Sequence, residues 1–483
     1  MLYHRNAGER GQDARATLSG LKIPREFRGV WVASVENIDW PSSRTLPVAA
    51  QKRELLAIIE KCSALHLNAI ILQVRPHADA LYPSKIEPWS EYLTGNQGTA
   101  PKPLWDPLAF AIRECHLRGI ELHAWLNPYR AWHPAAKGQP SADHVSVRRP
   151  DLVKTYGKFK WMDPAEPEVQ KQSLDVVKDI LARYDVDGIH IDDYFYPYPV
   201  RDAQGNPYPF PDDPAWGRYK AGGGKLGRGD WRRKHVDDFV QSLYRTIKDA
   251  KPWVKFGISP FGIYRPGVPK GIKAGIDQYD ELYADARKWL HEGWCDYFTP
   301  QLYWKIEQAP QSYEKLLDWW LDQNVKGRAV WPGNYSSQVA AGWPAKEIAD
   351  QIAMTREKKA GGNIHFSMKP LLRGTAGLGK TLISGPYKPI ALPPAMPWLG
   401  KKAPPKPILT GVKRQGESLA IGWKRDEHVS TYAVFVLRNG AWQLAKTCGG
   451  TRIEFDAPGA EKIALVAFSR TGIESEPTTA SVK

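Results

Sequence analysis

The sequence predicts a (β/α)8 barrel followed by a small C-terminal β-sandwich, and three observations carry that prediction. Between residues 28 and about 370, short apolar segments alternate with loops and amphipathic helical segments, and eight strand-like segments occur. Each crossover helix returns the chain to the same end of the sheet, so the strands run parallel. Eight units in a span of this size fit a closed barrel. No GxGxxG turn follows the first strand, where VWVASVENIDWPS stands instead, and this sets aside a doubly wound open sheet. Beyond a Pro-, Gly- and Lys-rich tract, SLAIGWKR, TYAVFVLRNG, AWQLAKTC, TRIEFDA and KIALVAFSR alternate apolar and polar residues between turns, as sandwich strands do.

In chain order the expected barrel strands are 29–35 (GVWVASV), 68–75 (NAIILQVR), 120–127 (IELHAWLN) and 186–192 (VDGIHID). Then come 254–260 (VKFGISP), 295–304 (CDYFTPQLYW), 327–333 (GRAVWPG) and 363–369 (NIHFSMK). Helices are expected at 49–66, 106–119, 166–184 and 344–361, among others. The second opens on Asp106 and closes at Gly119, and the first ends on basic residues and His66, as caps and the helix dipole prefer. The resulting divisions are a disordered leader at 1–24, the barrel at 25–380, a Pro-rich extended linker at 381–405 and an immunoglobulin- or fibronectin type III-like accessory domain at 406–483. Trp423 is the expected core tryptophan of the last.

Apolar residues make up 42% of the 483-residue chain and charged ones 25%, which excludes a disordered tail or a fibre. No stretch approaches the roughly 20 apolar residues that span a bilayer. The start, MLYHRNAGERGQDARATLSG, lacks the apolar core of a signal peptide. Net charge is +15, but lysines and arginines are scattered rather than striped. Nucleic acid is therefore not the expected partner, and peripheral attraction to an anionic cell envelope is. The cysteines, Cys62, Cys115, Cys295 and Cys448, form no CxxC pair, which argues against a zinc knuckle or a disulfide framework. Twenty tryptophans and twenty-one tyrosines supply many rigid faces that could stack on sugar rings.

Barrel active sites collect where strands end, and side chains alternate between pore and helices. In DGIHIDDYFYPYP (187–199), apolar Ile189 and Ile191 face the helices, so His190 and Asp192 turn inward. Asp193 has the opposite parity and is expected to brace the next loop unless a bulge re-aims it. The same reasoning turns Gln73 and Arg75, then Glu121, His123, Trp125 and Asn127, into the pore. It adds Ser259, then Thr299, Gln301 and Tyr303, and finally His365 and Ser367, with Ile364 and Phe366 outside. Burying so many polar groups costs about 1–3 kcal/mol each when unpaired, so a site or an ordered network is expected. Carboxylates, amides, imidazoles and aromatics without a metal cage fit glycosidic cleavage, in which one carboxyl group protonates the leaving oxygen. Tyr194, Phe195, Tyr196, Tyr198 and Trp304 are placed for ring stacking. There is no HExxH, and neither a metal nor a cofactor is expected.

FRGVWVASVENIDWPS, LNAIILQVRPHADALYPSKIEPWSEYLTG, GIELHAWLNPYR, WMDPAEPEV, YDVDGIHIDDYFYPYP, FGISPFGIYRP and YADARKWLHEGWCDYFTPQLYW form an ordered series. Over roughly residues 25–380 it resembles the glycosyl-hydrolase-like 10 family (the DUF187 group) of bacterial envelope proteins. The resemblance implies a TIM-barrel glycoside hydrolase that is periplasmic, lipid-anchored or secreted, with an export signal not visible here. Some members act on peptidoglycan glycan strands stripped of peptide. Matched by position, the blocks point to Arg75, Asp79, Glu87, His123, Asn127, Arg130, Asp192, Asp193, Gln301 and Tyr303. Glu36 stands where the family has small polar residues and is left outside the candidate set. Asp192 is the expected principal carboxyl group, with Glu87, Asp79 or Asp193 as its partner. Glu87 could equally be a solvated loop charge, and Asp79 could instead anchor its loop by pairing with Arg75. Gln73, Arg75, Asp79, His123, Asn127, Arg130, His190, Tyr194, Tyr196, Ser259, Gln301, Tyr303 and Trp304 are the expected substrate contacts. Two other readings stand beside the glycosidase: an inert carbohydrate-binding scaffold, and a metal-dependent deacetylase using His123, His190 and Asp192.

Overall fold

The computed structural model describes residues 21–482, so residues 1–20 of the expected leader lie outside the described residues. Eight parallel strands form the larger unit: β1 (Phe27–Val32), β2 (Ala69–Arg75), β3 (Glu121–Leu126), β4 (Gly188–Ile191), β5 (Lys255–Ile258), β6 (Tyr297–Phe298), β7 in two pieces (Ala329–Val330 and Gly333–Asn334) and β8 (Gly362–His365). The sheet runs from the first piece of β7 through β6, β5, β4, β3, β2, β1 and β8 to the second piece of β7. Only Trp331 and Pro332 separate the two pieces, and Trp331 N–H donates to Phe298 O while Ile364 N–H donates to Pro332 O. The sheet therefore closes on itself as the expected (β/α)8 barrel.

Helices Val48–Ala64, Pro107–Leu117, Pro167–Arg183 and Arg228–Ala250 are among those that cover the ring. Their buried Leu55, Ile58, Leu108, Val176, Ile180 and Phe239 pack with outward Leu72, Val74, Leu122, Ala124, Ile189, Ile191, Phe256 and Ile258 in one apolar layer. Asp106 Oδ1 accepts from Ala109 N–H at 3.0 Å, the expected cap.

The pore is packed rather than open. Trp31 Nε1–H donates to His190 Nε2 at 3.1 Å, so the ring proton of His190 sits on Nδ1, facing the Tyr297 hydroxyl at 2.9 Å. That hydroxyl donates to His123 Nδ1 at 2.8 Å, and His123 Nε2–H reaches Glu121 at 3.1 Å. Glu121 also pairs with Lys255. One direction of donation thus runs through the whole stack and fixes both histidine tautomers.

On β8 the expected parity is reversed. Phe366 packs edge-on against Trp31 at 6.1 Å, whereas His365 bonds Ser336 and Tyr387 on the other side. Both faces of a barrel strand are buried, so apolarity alone does not tell pore from helix layer.

An antiparallel three-stranded sheet, unexpected from the sequence, is inserted after β3. It comprises Arg130–Trp132, Val153–Tyr156 and Phe159–Met162, the last two joined through Gly157 at φ 58°.

A second compact unit holds the chain from Pro389 onward together with residues 21–26 and 116–119. Its seven strands form two antiparallel sheets, of three strands (Leu409–Gln415, Ser418–Trp423, Arg452–Asp456) and four (Thr431–Arg438, Ala441–Cys448, Lys462–Phe468, Thr478–Ser481). Leu419, Ile421 and Trp423 of the first pack on Tyr432, Val434, Ile463 and Leu465 of the second, closing a sandwich around Trp423. The tract expected to be an extended linker begins inside the helix Leu378–Ser384, and Leu392 exchanges backbone bonds with Pro24 and Glu26. Leu21 and Ile23, expected in the leader, pack beside Leu392 and Phe435.

Candidate active site

At the carboxyl ends of the strands lies a cavity of about 240 Å³. Asp192 and Asp193, which follow β4, both line it although they are only 5% and 4% exposed. Asp193 does brace the next loop as expected, accepting the Tyr198 hydroxyl, but it also faces the cavity. The chain leaves the strand at Ile191, so alternation no longer governs where Asp193 points.

A relay of side-chain amides positions Asp192. Gln73 Oε1 accepts from the backbone N–H groups of Ser34 and Val35, both at 2.9 Å, which turns its Nε2 toward Asn127 Oδ1 at 2.6 Å. Asn127 Nδ2 must then point the other way, and it lies 2.7 Å from each Asp192 oxygen. The loop after β1, strand β2, the end of β3 and the end of β4 are thus tied in one line.

Burial pushes the Asp192 carboxyl up to about 7, with the charge of neighbouring Asp193 adding to the effect. Arg130 and Asn127 pull in the opposite direction. Asp193 is raised by burial as well, against the Tyr198 and Gln301 hydrogen bonds that favour its charged form. Two such neighbouring carboxyl groups titrate as a unit, the charge of one opposing ionisation of the other.

Trp31, Trp125, Tyr194, Tyr198, Tyr303 and Phe366 supply flat walls to the same cavity. Arg130 lies 4.0 Å from the Tyr194 ring centre, and Gln301 Nε2 reaches the Ser259 hydroxyl at 3.1 Å.

The family model for glycosyl hydrolase-like 10 matches residues 26–346. This chain belongs to that family. It is 41% identical over 411 residues to the glycosyl hydrolase YngK of Bacillus subtilis strain 168, covering 82% of this chain and 78% of the relative. It is 36% identical over 317 residues to the glycosyl hydrolase DigH of Escherichia coli K12, covering 61% and 70%. Among solved structures, the β-amylase catalytic domain from Paenibacillus polymyxa aligns at 13% identity and TM-score 0.49, over 76% of this chain and 98% of that one. The PgaB (BpsB) glycoside hydrolase domain from Bordetella bronchiseptica aligns at 12% identity and TM-score 0.48, over 75% and 98%.

In this glycosyl hydrolase-like 10 cleft, the residues expected from sequence divide into three groups. Gln73, Arg130, Asp192, Asp193, Tyr194, Ser259, Gln301 and Tyr303 line the cavity, and Asn127 holds Asp192 from behind. His123 and His190, named also for a metal, lie in the packed pore on either side of Tyr297. Arg75, Asp79, Glu87, Tyr196 and Trp304 are not among the cavity's lining residues.

For Arg75 the cause is a register shift between Gln73 and Arg75, which takes its side chain out of the alternation. It instead makes a two-pronged ion pair with Glu87, at 2.7 and 2.5 Å, buried at both ends. Gln172 donates to the same carboxylate. Asp79 does anchor its loop, but by accepting from the His77 backbone N–H at 3.4 Å and from Gln97 Nε2 at 3.2 Å, not through a bond to Arg75. Tyr196 is buried against Phe210 and Tyr283 and Phe195 against Trp289, while half-buried Trp304 packs edge-on against Phe261.

Trp31, Glu36, His133 and Phe366 line the cavity without having been singled out. Glu36 was set aside on family grounds, and Phe366 was assigned to the wrong face. Trp31 was within reach of the parity argument, since Ala33 and Trp31 share the pore side of β1 with Phe27. Nothing local in the sequence marks His133.

Proposed function

We propose that this protein hydrolyses glycosidic bonds in an envelope polysaccharide, with peptidoglycan strands stripped of peptide as the leading substrate. The observation that carries the reading is the coupled pair Asp192 and Asp193, buried but facing an aromatic-walled cavity at the barrel mouth. Asp192, raised toward neutrality, is the proton donor to the leaving oxygen. Asp193, held by the Tyr198 hydroxyl, carries the negative charge that faces the oxocarbenium-like centre as the bond breaks. Asn127 keeps Asp192 in one rotamer, so the acid meets the substrate without reorganising. The tryptophan and tyrosine walls stack on sugar faces, and Gln301, Ser259 and Arg130 offer donors to ring substituents. The net charge of +15 fits an anionic envelope as the surroundings.

The test is to incubate purified protein with naked peptidoglycan strands, peptide-bearing sacculi and neutral plant polysaccharides, and to read the products by mass. Cleavage of naked strands is expected, and Asp192→Asn should abolish it while leaving binding intact. Binding without cleavage of any polymer by the unsubstituted protein would point instead to a carbohydrate-holding scaffold.

A further inference from the structure

We propose that Glu36 gives this cleft a preference for glycan bearing unsubstituted, cationic amino groups, that is, for partly N-deacetylated strands. The inference rests on the glycosidase reading above and names the substrate more narrowly.

Glu36 follows β1 and Asp192 follows β4, three strands apart on an eight-strand ring, so their carboxyl groups enter the mouth from opposite sides. Both line the one cavity. The placement is enforced. Glu36 and Asn37 adopt φ of 56° and 55°, a conformation costly for residues other than glycine. Asn37 Nδ2 secures the turn by donating to Pro41 O at 2.8 Å and Tyr92 O at 2.9 Å.

His133 lies beside the carboxylate. Its Nδ1 accepts from Ala135 N–H at 3.1 Å, so the ring proton is on Nε2, which lies 3.2 Å from Glu36 Oε1. Burial and the charge of Arg130 press the imidazole down to about 4. At neutral pH the neighbouring ring is therefore neutral, and it leaves the charge of the Glu36 carboxylate uncancelled.

The cavity wall carries the carboxyl groups of Glu36, Asp192 and Asp193 against the single guanidinium of Arg130. Arg130 is itself engaged, with the Tyr194 face at 4.0 Å and Nη1 at 3.4 Å from both Pro76 O and Asn127 Oδ1. An acidic cleft in a chain of net charge +15 runs against the field of the whole protein, so the excess is local and faces the ligand. A hydroxyl or an acetamide N–H can bond a carboxylate, but only an ammonium group also gains from the excess charge. The Glu36 side chain is 47% exposed, which places it where an incoming strand is read first.

The experiment compares kcat/KM of the unsubstituted protein and Glu36→Gln on naked strands, fully N-acetylated or partly deacetylated by chemical treatment. Glutamine is isosteric with glutamate and replaces an exposed side chain, so the fold is kept. The expected result is about a tenfold preference for deacetylated strands, eroded by salt and lost in Glu36→Gln through a fall on deacetylated strands alone. Equal rates on both strands, or a preference that survives in Glu36→Gln, overturns the proposal. Titration calorimetry with Asp192→Asn and Asp192→Asn/Glu36→Gln reads the same preference without turnover. Absence of cleavage would therefore defeat the glycosidase reading while the calorimetric comparison still decides the role of Glu36.

Discussion

Asn127 donates its side-chain amide to both carboxylate oxygens of Asp192, at 2.7 Å each, and its orientation is dictated by Gln73 on the neighbouring strand. The bond favours the charged form of Asp192, opposing the burial that raises it. Asn127→Ala removes a hydrogen bond to a charged group, about 1.5–3 kcal/mol, so kcat/KM should fall by about 10- to 100-fold. The alkaline limb of the pH profile should move upward, because one of the influences that lower the acid is gone while burial and the Asp193 charge remain. A pH–rate profile checks this, and an unmoved limb with full activity would uncouple Asn127 from the acid.

The raised acid also leaves a mark on stability. Unfolded, Asp192 loses its proton near the ordinary carboxyl value of about 3.9, whereas folded it holds on to about 7. Between these values the folded state binds more protons, so stability falls as pH rises through that window and stays low above it. A difference of about three units corresponds to at most about 4 kcal/mol for one group. Asp192→Asn removes the penalty, so its melting temperature should exceed that of the unsubstituted protein at pH 8 and match it at pH 4. Asp79, raised by burial to about 7, and Asp163, to about 6, act in the same direction. The difference between the two proteins, followed by thermal denaturation across pH, is therefore the informative curve.

The barrel was readable because its outward residues repeat with period two and its helices with their own period, and eight such units leave few architectures. Asp192 was readable for the same reason, since Ile189 and Ile191 fix the face of β4. Legibility stopped wherever both faces of a strand are apolar or the chain leaves the strand. Ile364 and Phe366 look like helix-facing residues but fill the pore side, and the shift after Gln73 sends Arg75 elsewhere. Glu36 was set aside because it departs from the family's residue there, and its place in the cavity depends on a left-handed turn at two residues that are not glycine, which no periodicity records.

Glu87 tests the separation of catalysis from framework. Its carboxylate is buried in the ion pair with Arg75 and shares a hydrogen bond with Gln172. Glu87→Gln leaves a buried guanidinium without its counter-charge, a loss of about 3–5 kcal/mol. The melting temperature should drop sharply, while kcat/KM measured well below the transition stays within a few-fold of normal. Replacing both partners, Arg75→Met with Glu87→Leu, should recover much of the stability. Loss of cleavage in a Glu87→Gln protein that remains folded would return Glu87 to the catalytic set.

Gly257 carries the last prediction, because the packed pore depends on its missing side chain. A Cβ there would lie 1.9 Å from the Tyr297 ring, far inside any contact distance. Tyr297 cannot swing aside, since its hydroxyl links His123 and His190 and its ring stacks on Trp331 at 5.2 Å. Gly257→Ala must therefore displace the donor chain that begins at Trp31, and overpacking of this kind costs about 3 kcal/mol or more. The expected outcome is a lowered denaturation midpoint, read by chemical unfolding. Activity should also fall, because Trp31 both caps the chain and forms a wall of the cleft. Tyr297→Phe in the same background keeps the ring and removes only the hydroxyl, the atom whose loss frees the alanine methyl at 2.3 Å while leaving the nearer ring carbons in place. It should recover little, whereas Tyr297→Phe alone, which loses the same hydrogen bonds without the crowding, should cost clearly less than Gly257→Ala; equal losses would make the hydrogen bonds rather than the ring the cause.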